Sequence, residues 1–272
     1  MASKLNDLIV DRVQFGFGAS SNMAPKYVLT QCSSASFEIT ADSTDITDKD
    51  GNLVYRKYSG KQGSVTLTNA MISTSIIAAA SGTDVQVASK ENAIIVPIMK
   101  AVKAGTEVDV TGYVEGSVYV RPYTLNGTLG DTEYTLGSSA SDTEFFITTT
   151  AKGEDAEKSV LTLPTDENET QYFVTFKKKA VTGVTKVANY ADKLPKAHEL
   201  FLKALVVDPC DKENYLAAIV HIPSFMPSPE MTLNIEGGDS QTMDFTGAMM
   251  MDYCSADKEL FSIYIIEDED EA

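Results

Sequence analysis

The chain has 272 residues, of which 43% are hydrophobic and 22% are charged, so it is long enough to bury a large core. Asp and Glu number 39 against 22 Lys and Arg, which gives a net charge of −17. This excess opposes non-specific binding to nucleic acid, because a duplex is bound by neutralising its phosphates with basic side chains. The composition therefore predicts one large or two smaller globular domains and argues against a free DNA-binding protein.

No segment has the roughly 20 consecutive apolar residues that span a bilayer. The first residues lack the apolar run of a signal peptide. Cys32, Cys210 and Cys254 are widely spaced and form no C-x-x-C motif. An odd number of cysteines without an export signal is typical of synthesis in a reducing cytoplasm, so we expect free, buried thiols and no membrane contact.

Apolar and polar residues alternate in two neighbouring segments. Phe37 and Ile39 lie in the first and Val65 and Leu67 in the second, and the polar run between them contains Asp-Gly, a strong hairpin signal. The sequence therefore predicts two long antiparallel strands over 36–68 with a polar tip.

The next segment has helical spacing. Its apolar residues recur on one face between Met71 and Ala80, Asn69 can cap the first turn, and Gly82 can end the last one. The pattern predicts a short helix over 70–80 that covers a sheet.

Residues 95–187 have a different sequence pattern, in which short apolar segments typical of strands are separated by polar stretches. Apolar residues alternate at 118–120, 161–163 and 172–176. Regularly spaced short strands are typical of a small sandwich, so we predict an inserted domain here, Ig-like or of another small β type.

Long strands return after this region, so residues 1–94 and 188–272 are predicted to form one discontinuous β domain. Segment 197–207 fits either a helix or a strand. A strand is favoured because an Asp-Pro pair ends the segment and 215–220 can serve as its hairpin partner.

Three further strands are predicted near the C terminus, around 231–235, 243–246 and 261–266. The last is apolar on both faces, since Ile263 lies on one and Tyr264 on the other. A strand of this kind is buried on both faces, by its own chain or by a neighbour.

The residues of known catalytic motifs are missing. The two histidines are His198 and His221, and a zinc-protease reading of His198-Glu199 fails because Leu202 stands where the second histidine belongs. We therefore predict no enzyme activity and no cofactor, with both histidines at the surface or hydrogen-bonded.

The carboxylates near Gly51 invite a calcium-loop interpretation. With Gly51 at the sixth place, an EF-hand loop needs an oxygen ligand at 46 and a Glu at 57, but the chain has Ile46 and Lys57. A solvated hairpin tip explains the pattern better, and we predict no metal site. The acidic run 267–271 is likewise typical of a solvated tail.

Two stretches resemble the tail tube (major tail) proteins of tailed bacteriophages. The first comprises SFEIT at 36–40, DITDKDGN at 45–52 and KQGSVTLTN at 61–69, and it resembles the strand, long hairpin and strand that open that fold. The second comprises IPSFMPSP at 222–229 and the segments that follow up to 266, and it is similar to the Pro-rich bend and closing strands of tube proteins.

The resemblance implies an all-β fold with one or two short helices, in which a tail-tube β-sandwich or partial barrel carries the inserted small β-sandwich. It implies a structural subunit of the virion tail whose six-membered rings join neighbouring sheets into one barrel and stack into a tube. An acidic lumen would repel DNA phosphates and let the DNA slide through without specific binding. The implied partners are further copies of the chain and other tail proteins, namely the tape measure, baseplate or tail terminator, and sheath.

Nine residues are predicted at subunit contacts. The hairpin tip offers carboxylates, a basic run offers a contact for acidic neighbours if it is not simply a solvated strand end, and the last strand offers apolar side chains. These residues are Asp45, Asp48, Asp50, Lys177, Lys178, Lys179, Phe261, Ile263 and Tyr264.

Other functions stay open at this point. The chain can be another virion component or the tube of a phage-derived contractile injection system. A β-sandwich carbohydrate- or cell-binding module is a second alternative, although the absence of Trp leaves its aromatic platform unexplained.

Overall fold

A computed structural model of the chain describes residues 7–124, 126–152, 155–233, 237, 241–253 and 257–266. The chain divides into two compact units, one formed by Met1–Val85 with Val187–Ala272 and the other by Gln86–Lys186. We call them the discontinuous unit and the inserted unit. The first boundary falls before Gln86, where sequence analysis placed it after residue 94, because Gln86–Val87 already pair with Thr185–Lys186 inside the inserted unit.

Strands dominate the described residues, which confirms the predicted all-β class. The strands in chain order are β1 (Ile9–Ala19), β2 (Pro25–Leu29), β3 (Cys32–Thr47), β4 (Leu53–Asn69), β5 (Gln86–Val87), β6 (Ile94–Lys103), β7 (Val108–Asp109), β8 (Tyr119–Pro122), β9 (Thr135–Leu136), β10 (Glu144–Lys152), β11 (Asp155–Thr162), β12 (Gln171–Ala180), β13 (Thr185–Lys186), β14 (His198–Asp208), β15 (Asp211–Pro227), β16 (Met243–Met249) and β17 (Ser262–Ile266). The helix α1 spans Thr74–Ser81.

The discontinuous unit contains one eight-stranded sheet. Its order is β2-β1-β14-β15-β16-β4-β3, and β17 pairs with β15 next to β16. The β3–β4 hairpin and the β14–β15 hairpin are both antiparallel, with Phe37 opposite Val65 and Leu202 opposite Val220. The predicted hairpin over 36–68 and the strand interpretation of 197–207 are therefore confirmed.

The core of this unit is formed by alternate residues of its long strands together with α1. Phe225 and Phe245 are fully buried and meet edge to face, with ring centroids 5.5 Å apart. The other buried members are Tyr27, Leu29, Cys32, Val65, Leu67, Ile76, Ala80, Leu200, Leu202, Ile222, Met243 and Met249. A single cluster drawn from six strands and one helix means that the sheet and α1 fold as one body.

Helix α1 begins later than predicted. Ser73, not Asn69, is its N-cap, and the Ser73 hydroxyl accepts a hydrogen bond from the Ile76 amide. Asn69 instead ends β4, where it lies opposite Cys32 and Met243, because strand pairing on both sides holds it extended. The predicted C-terminal end is confirmed, since Gly82 adopts a left-handed conformation with φ 63°.

The Pro-rich segment 222–229, predicted as a bend, is for the most part a strand. β15 continues to Pro227, and its register against β14 shifts between the pairs Leu200–Ile222 and His198–Phe225. This bulge accommodates Pro223, which has no amide hydrogen to give to the ladder. The strand predicted around 231–235 is wrong for 231–233, which are not strand, while 234–236 lie outside the described residues.

The inserted unit has two main sheets around its own core, of orders β7-β11-β10-β9 and β6-β12-β8. β9 pairs in parallel with β10, and the short strands β5 and β13 form an antiparallel ribbon. The core cluster comprises Val108, Val110, Val120, Tyr134, Phe145, Leu161, Leu163, Tyr172, Val174 and Phe176. Both sheets contribute to it, which is the arrangement of a small β-sandwich.

The thiols differ in burial. Cys32 is free and buried, and burial raises its pKa. Cys210 is free but exposed in the turn between β14 and β15, so the prediction of buried thiols is wrong for this residue. Polar turns lie at the surface because their backbone groups need water. Cys254 lies outside the described residues.

Candidate assembly surface

The β3–β4 hairpin extends well beyond the eight-stranded sheet. β16 pairs with β4 only over Gly63–Asn69, and every residue from 38 to 62 is exposed. We call residues 38–62 the arm. In the described part of the chain its two strands pair only with each other. A lone two-stranded ribbon is marginally stable in water, so the arm is suited to be completed by another surface.

The arm carries apolar side chains that its own chain does not cover. Ile46, Leu53, Val54, Tyr55 and Tyr58 are 54% to 67% exposed. Ile46 and Tyr55 lie directly opposite each other and form an aliphatic-aromatic cross-strand pair. Burying a side chain of this size contributes about 1.5–3 kcal/mol, so covering the arm is strongly favourable.

The turn of the arm is closed by Asp48. Its carboxylate accepts hydrogen bonds from the Asp50 amide at 2.9 Å, the Asn52 amide at 2.8 Å and the Asn52 side chain at 3.0 Å. The Asn52 side-chain bond is the main reason that the pKa of Asp48 is lowered. Gly51 supplies the positive φ, 86°, that the turn requires. Asp48 is therefore a turn-forming residue, and the described residues contain no cluster of metal-binding side chains.

The strands of the arm are held in register by Asp45 and Arg56. The Arg56 guanidinium donates to both Asp45 oxygens, at 2.6 and 2.8 Å, and this pair lowers the pKa of Asp45. Asp50 forms an exposed ion pair with Lys49 at 3.0 Å. The arm thus brings together the three aspartates predicted at a subunit contact. Asp45 and Asp48 shape it, and a contact role for any of the three stays a prediction.

Strand β17 is a second unfinished edge. It pairs with β15 over Ala217–His221, and its other edge has no partner strand among the described residues. Ile263, Tyr264 and Ile265 are 57%, 52% and 36% exposed, so both faces of the strand are open. The described residues do not bury this strand on both faces, so its burial by a neighbour stays a prediction.

Phe261 lies just before this strand and differs from the two predicted contact residues that follow it. Its ring is partly buried and stacks on Phe37, with centroids 6.0 Å apart. Phe261 therefore packs against the core of its own unit, whereas Ile263 and Tyr264 point into solvent.

Strand β1 provides a third edge that is open as far as the structure describes the chain, and sequence reasoning missed it. β14 pairs with it from Ile9 to Ala19, but β2 covers its other side only from Gly16 onwards. Ile9 and Val10 are exposed. Such a long, partly apolar edge is a template for pairing with another chain.

The predicted basic contact, Lys177 to Lys179, lies on β12 of the inserted unit. Lys177 and Lys179 are exposed, and Lys178 between them is half-buried because successive side chains of a strand point to opposite faces. The structure therefore divides the run, with two lysines on one face and one on the other.

Both histidines are hydrogen-bonded, as the sequence predicts. The Nδ1 of His198 lies 2.9 Å from the Lys196 carbonyl, and Nε2 lies 2.6 Å from the Tyr27 hydroxyl. Because a carbonyl only accepts, Nδ1 donates to it, and the neutral ring accepts from Tyr27 through Nε2. His221 contacts Glu199 at 3.1 Å and stacks on Phe201.

We expect the free energy of unfolding to fall as the pH drops below about 6.5. Burial lowers the pKa of His198 from 6.5, so the unfolded chain takes up the proton first and stability is lost on acidification. One proton gives a slope of at most about 1.4 kcal/mol per pH unit. Urea unfolding at several pH values should show a shallower fall for His198→Gln than for the wild type. His221→Gln is the control, and an unchanged slope in His198→Gln would contradict the assignment.

The described residues define an all-β protein in which the arm and two strand edges are left uncovered. The model of the YomU/Tube protein family matches residues 7–263, which is nearly the whole chain. The chain therefore belongs to the YomU/Tube protein family. This is a phage-associated tube family, which confirms the resemblance seen in the sequence and makes the chain a component of a virion tail.

No curated protein matches the chain. Among the described residues, the helix is too short to cross a bilayer.

Proposed function

We propose that the chain is the non-enzymatic subunit of a phage tail tube, and that it assembles into six-membered rings which stack into a channel for DNA. The observation that carries this proposal is the arm, a ribbon from residue 38 to 62 that is exposed throughout. A lone ribbon with exposed apolar side chains is only marginally stable in water. It becomes stable when neighbouring subunits bury those side chains.

Ring closure explains why the other open edges are tolerated. The exposed sides of β17 and β1 would pair indiscriminately in an isolated chain, because unpaired amides and carbonyls attract any other edge. In a ring, an edge of one copy pairs with a different edge of the next copy. When the rotation between successive copies closes the ring, no such edge is left unpaired. The proposed partners are therefore further copies along the ring and along the tube.

The charge distribution supports a channel that does not hold DNA. The inserted unit, residues 86–186, has 10 Lys and Arg against 14 Asp and Glu, a net charge of −4. The rest of the chain has 12 against 25, a net charge of −13. Copies of an acidic unit around a lumen repel phosphates, so DNA passes without specific binding. Tape measure, baseplate or terminator, and sheath proteins are the further proposed partners, after synthesis in the host cytoplasm.

Electron microscopy of the purified full chain tests the proposal. We expect rings and tubes with six-fold symmetry, and a ring mass by light scattering of six times the 29.4 kDa of the chain. A preparation that stays monodisperse and monomeric at high concentration would contradict it. Rings with another number of subunits would support the proposed tube but contradict the proposed six-membered ring.

A further inference from the structure

The outer face of the β6–β12–β8 sheet in the inserted unit is exposed and has an unusual composition. Tyr172, Val174 and Phe176 of β12 are buried in the core, so the alternate residues point outward. Strand register sets their neighbours: Thr175 lies between Met99 and Tyr119. We call this surface the basic face. It comprises Ile95, Pro97, Met99, Ala101, Lys103, Tyr119, Arg121, Phe173, Thr175, Lys177 and Lys179.

The charge of this face is opposite to that of the chain. Lys103, Lys177, Lys179 and Arg121 supply four cations. The acid that contacts the face is Glu133, whose carboxylate lies 3.1 Å from Arg121. A surface whose own charged side chains are all cations stands out in a chain with a net charge of −17.

The same face exposes apolar side chains between its cations. Met99, Ile95 and Tyr119 are 67%, 58% and 53% exposed. The rings of Tyr123 and Phe173 pack 5.6 Å apart at one end of the face. Beside them, Tyr119, Arg121, Leu129, Glu133, Phe173 and Thr175 line a shallow depression of about 320 Å³. Aromatic, Met and Arg side chains of this kind are enriched at the centres of protein interfaces.

We propose that the basic face docks onto the acidic surface of a neighbouring copy of this chain. The inference rests on the proposed assembly, which places many copies of a chain with charge −17 side by side. Like-charged copies repel, and a face of opposite sign turns part of this repulsion into attraction. Each copy carries both a basic face and an acidic unit of charge −13, so the contact repeats from copy to copy.

Reversing the two exposed cations that β12 contributes to the face tests this docking contact. We expect Lys177→Glu/Lys179→Glu to raise the subunit concentration needed for tube formation about tenfold at low salt, because two attractive contacts per copy become repulsive. The difference from wild type should shrink at high salt, which screens exposed charges. Pelleting of tubes over a concentration series measures both effects, and an unchanged melting temperature shows that the fold is intact.

The matched control is Lys90→Glu/Lys158→Glu, which makes the same charge change at exposed sites of the same unit outside the basic face. The control should change the threshold less than twofold. If both double variants need the same subunit concentration for tube formation, the docking contact is refuted, but the proposed tube is not. Wild type that forms no tubes overturns both proposals. A third outcome is that wild type binds heparin through Lys177 and Lys179 while the charge reversal leaves assembly unchanged. This outcome would assign the face to an anionic polymer and would also refute the docking contact.

Discussion

A chain whose arm is cut back to a tight turn should fold as a monomer and form no tubes. Thr40 and Gln62 lie directly opposite each other, so replacing residues 41–61 with Asn-Gly closes the hairpin in register. The deletion removes five exposed apolar side chains worth about 7–15 kcal/mol of burial before the costs of association. We expect the assembly threshold to rise more than about a thousandfold.

Two measurements decide this prediction. Calorimetry should give a melting temperature close to that of wild type, because the deleted residues are all exposed and none belongs to the core cluster. Electron microscopy and pelleting should show no tubes. The control is Thr44→Ala/Ser59→Ala, which changes polar side chains of the same arm and should assemble normally. If the shortened chain formed tubes, the arm would not be part of the assembly surface.

Gly247→Ala should destabilise the discontinuous unit by about 3 kcal/mol. A Cβ at Gly247 would lie 2.4 Å from Cε2 of Phe225 and 2.5 Å from the Met226 carbonyl oxygen. Phe225 cannot move aside easily, because its ring is fully buried between Phe245 and His198. The carbonyl belongs to the paired backbone of β15, so relief of the clash disturbs the ladder to β16.

Urea unfolding of Gly247→Ala against Gly237→Ala measures this effect. A Cβ at Gly237 meets nothing within 4 Å, and neither glycine has a positive φ, so the pair isolates the effect of packing. Gly237→Ala should stay within about 0.5 kcal/mol of wild type. A similar result for Gly247→Ala would show that β15 and β16 adapt more freely than their geometry indicates.

The elements that the sequence predicted correctly are those set by local periodicity. Alternation around Phe37 and Val65, with Asp-Gly between, determines a hairpin because both strands and the turn lie close together in the chain. The same holds for β14 and β15, where an Asp-Pro pair limits the strand and a partner follows at once.

The features that sequence reasoning missed depend on contacts between distant segments. Residues typical of strands continue from the base of the hairpin into the arm, and only pairing with β16 shows where the sheet ends. Asn69 and Ser73 are both good caps, and the choice between them is made by the strands that hold Asn69. The segment 231–233 alternates like a strand but is not one.

Strand β1 was overlooked because its glycines obscure the alternation. A Cβ at Gly16 would lie 2.5 Å from a methyl carbon of Leu202, and one at Gly18 would lie 2.3 Å from the Tyr27 ring. The glycines therefore leave room for large side chains of β14 and β2. The signal in the sequence is Phe15 and Phe17, which alternate with these glycines.

For the candidate site, the sequence predicted the apolar final strand and the charged runs. It did not predict which side chains of each run share a face or form a turn. Whether Lys178 shares a face with its neighbours depends on strand pairing. Whether Asp48 is free or closes a turn depends on the conformation of the tip. Composition alone cannot show either.

The ribbon formed by β5 and β13 has a consequence for how this chain can change. Lys186 lies directly opposite Gln86, so the polypeptide leaves the inserted unit beside the point where it entered. A cut at this neck severs no ladder of the eight-stranded sheet, whose strands all lie outside 86–186. The inserted unit can therefore be exchanged for another module by recombination at two residues that lie side by side, which makes the neck a natural place for grafting foreign cargo.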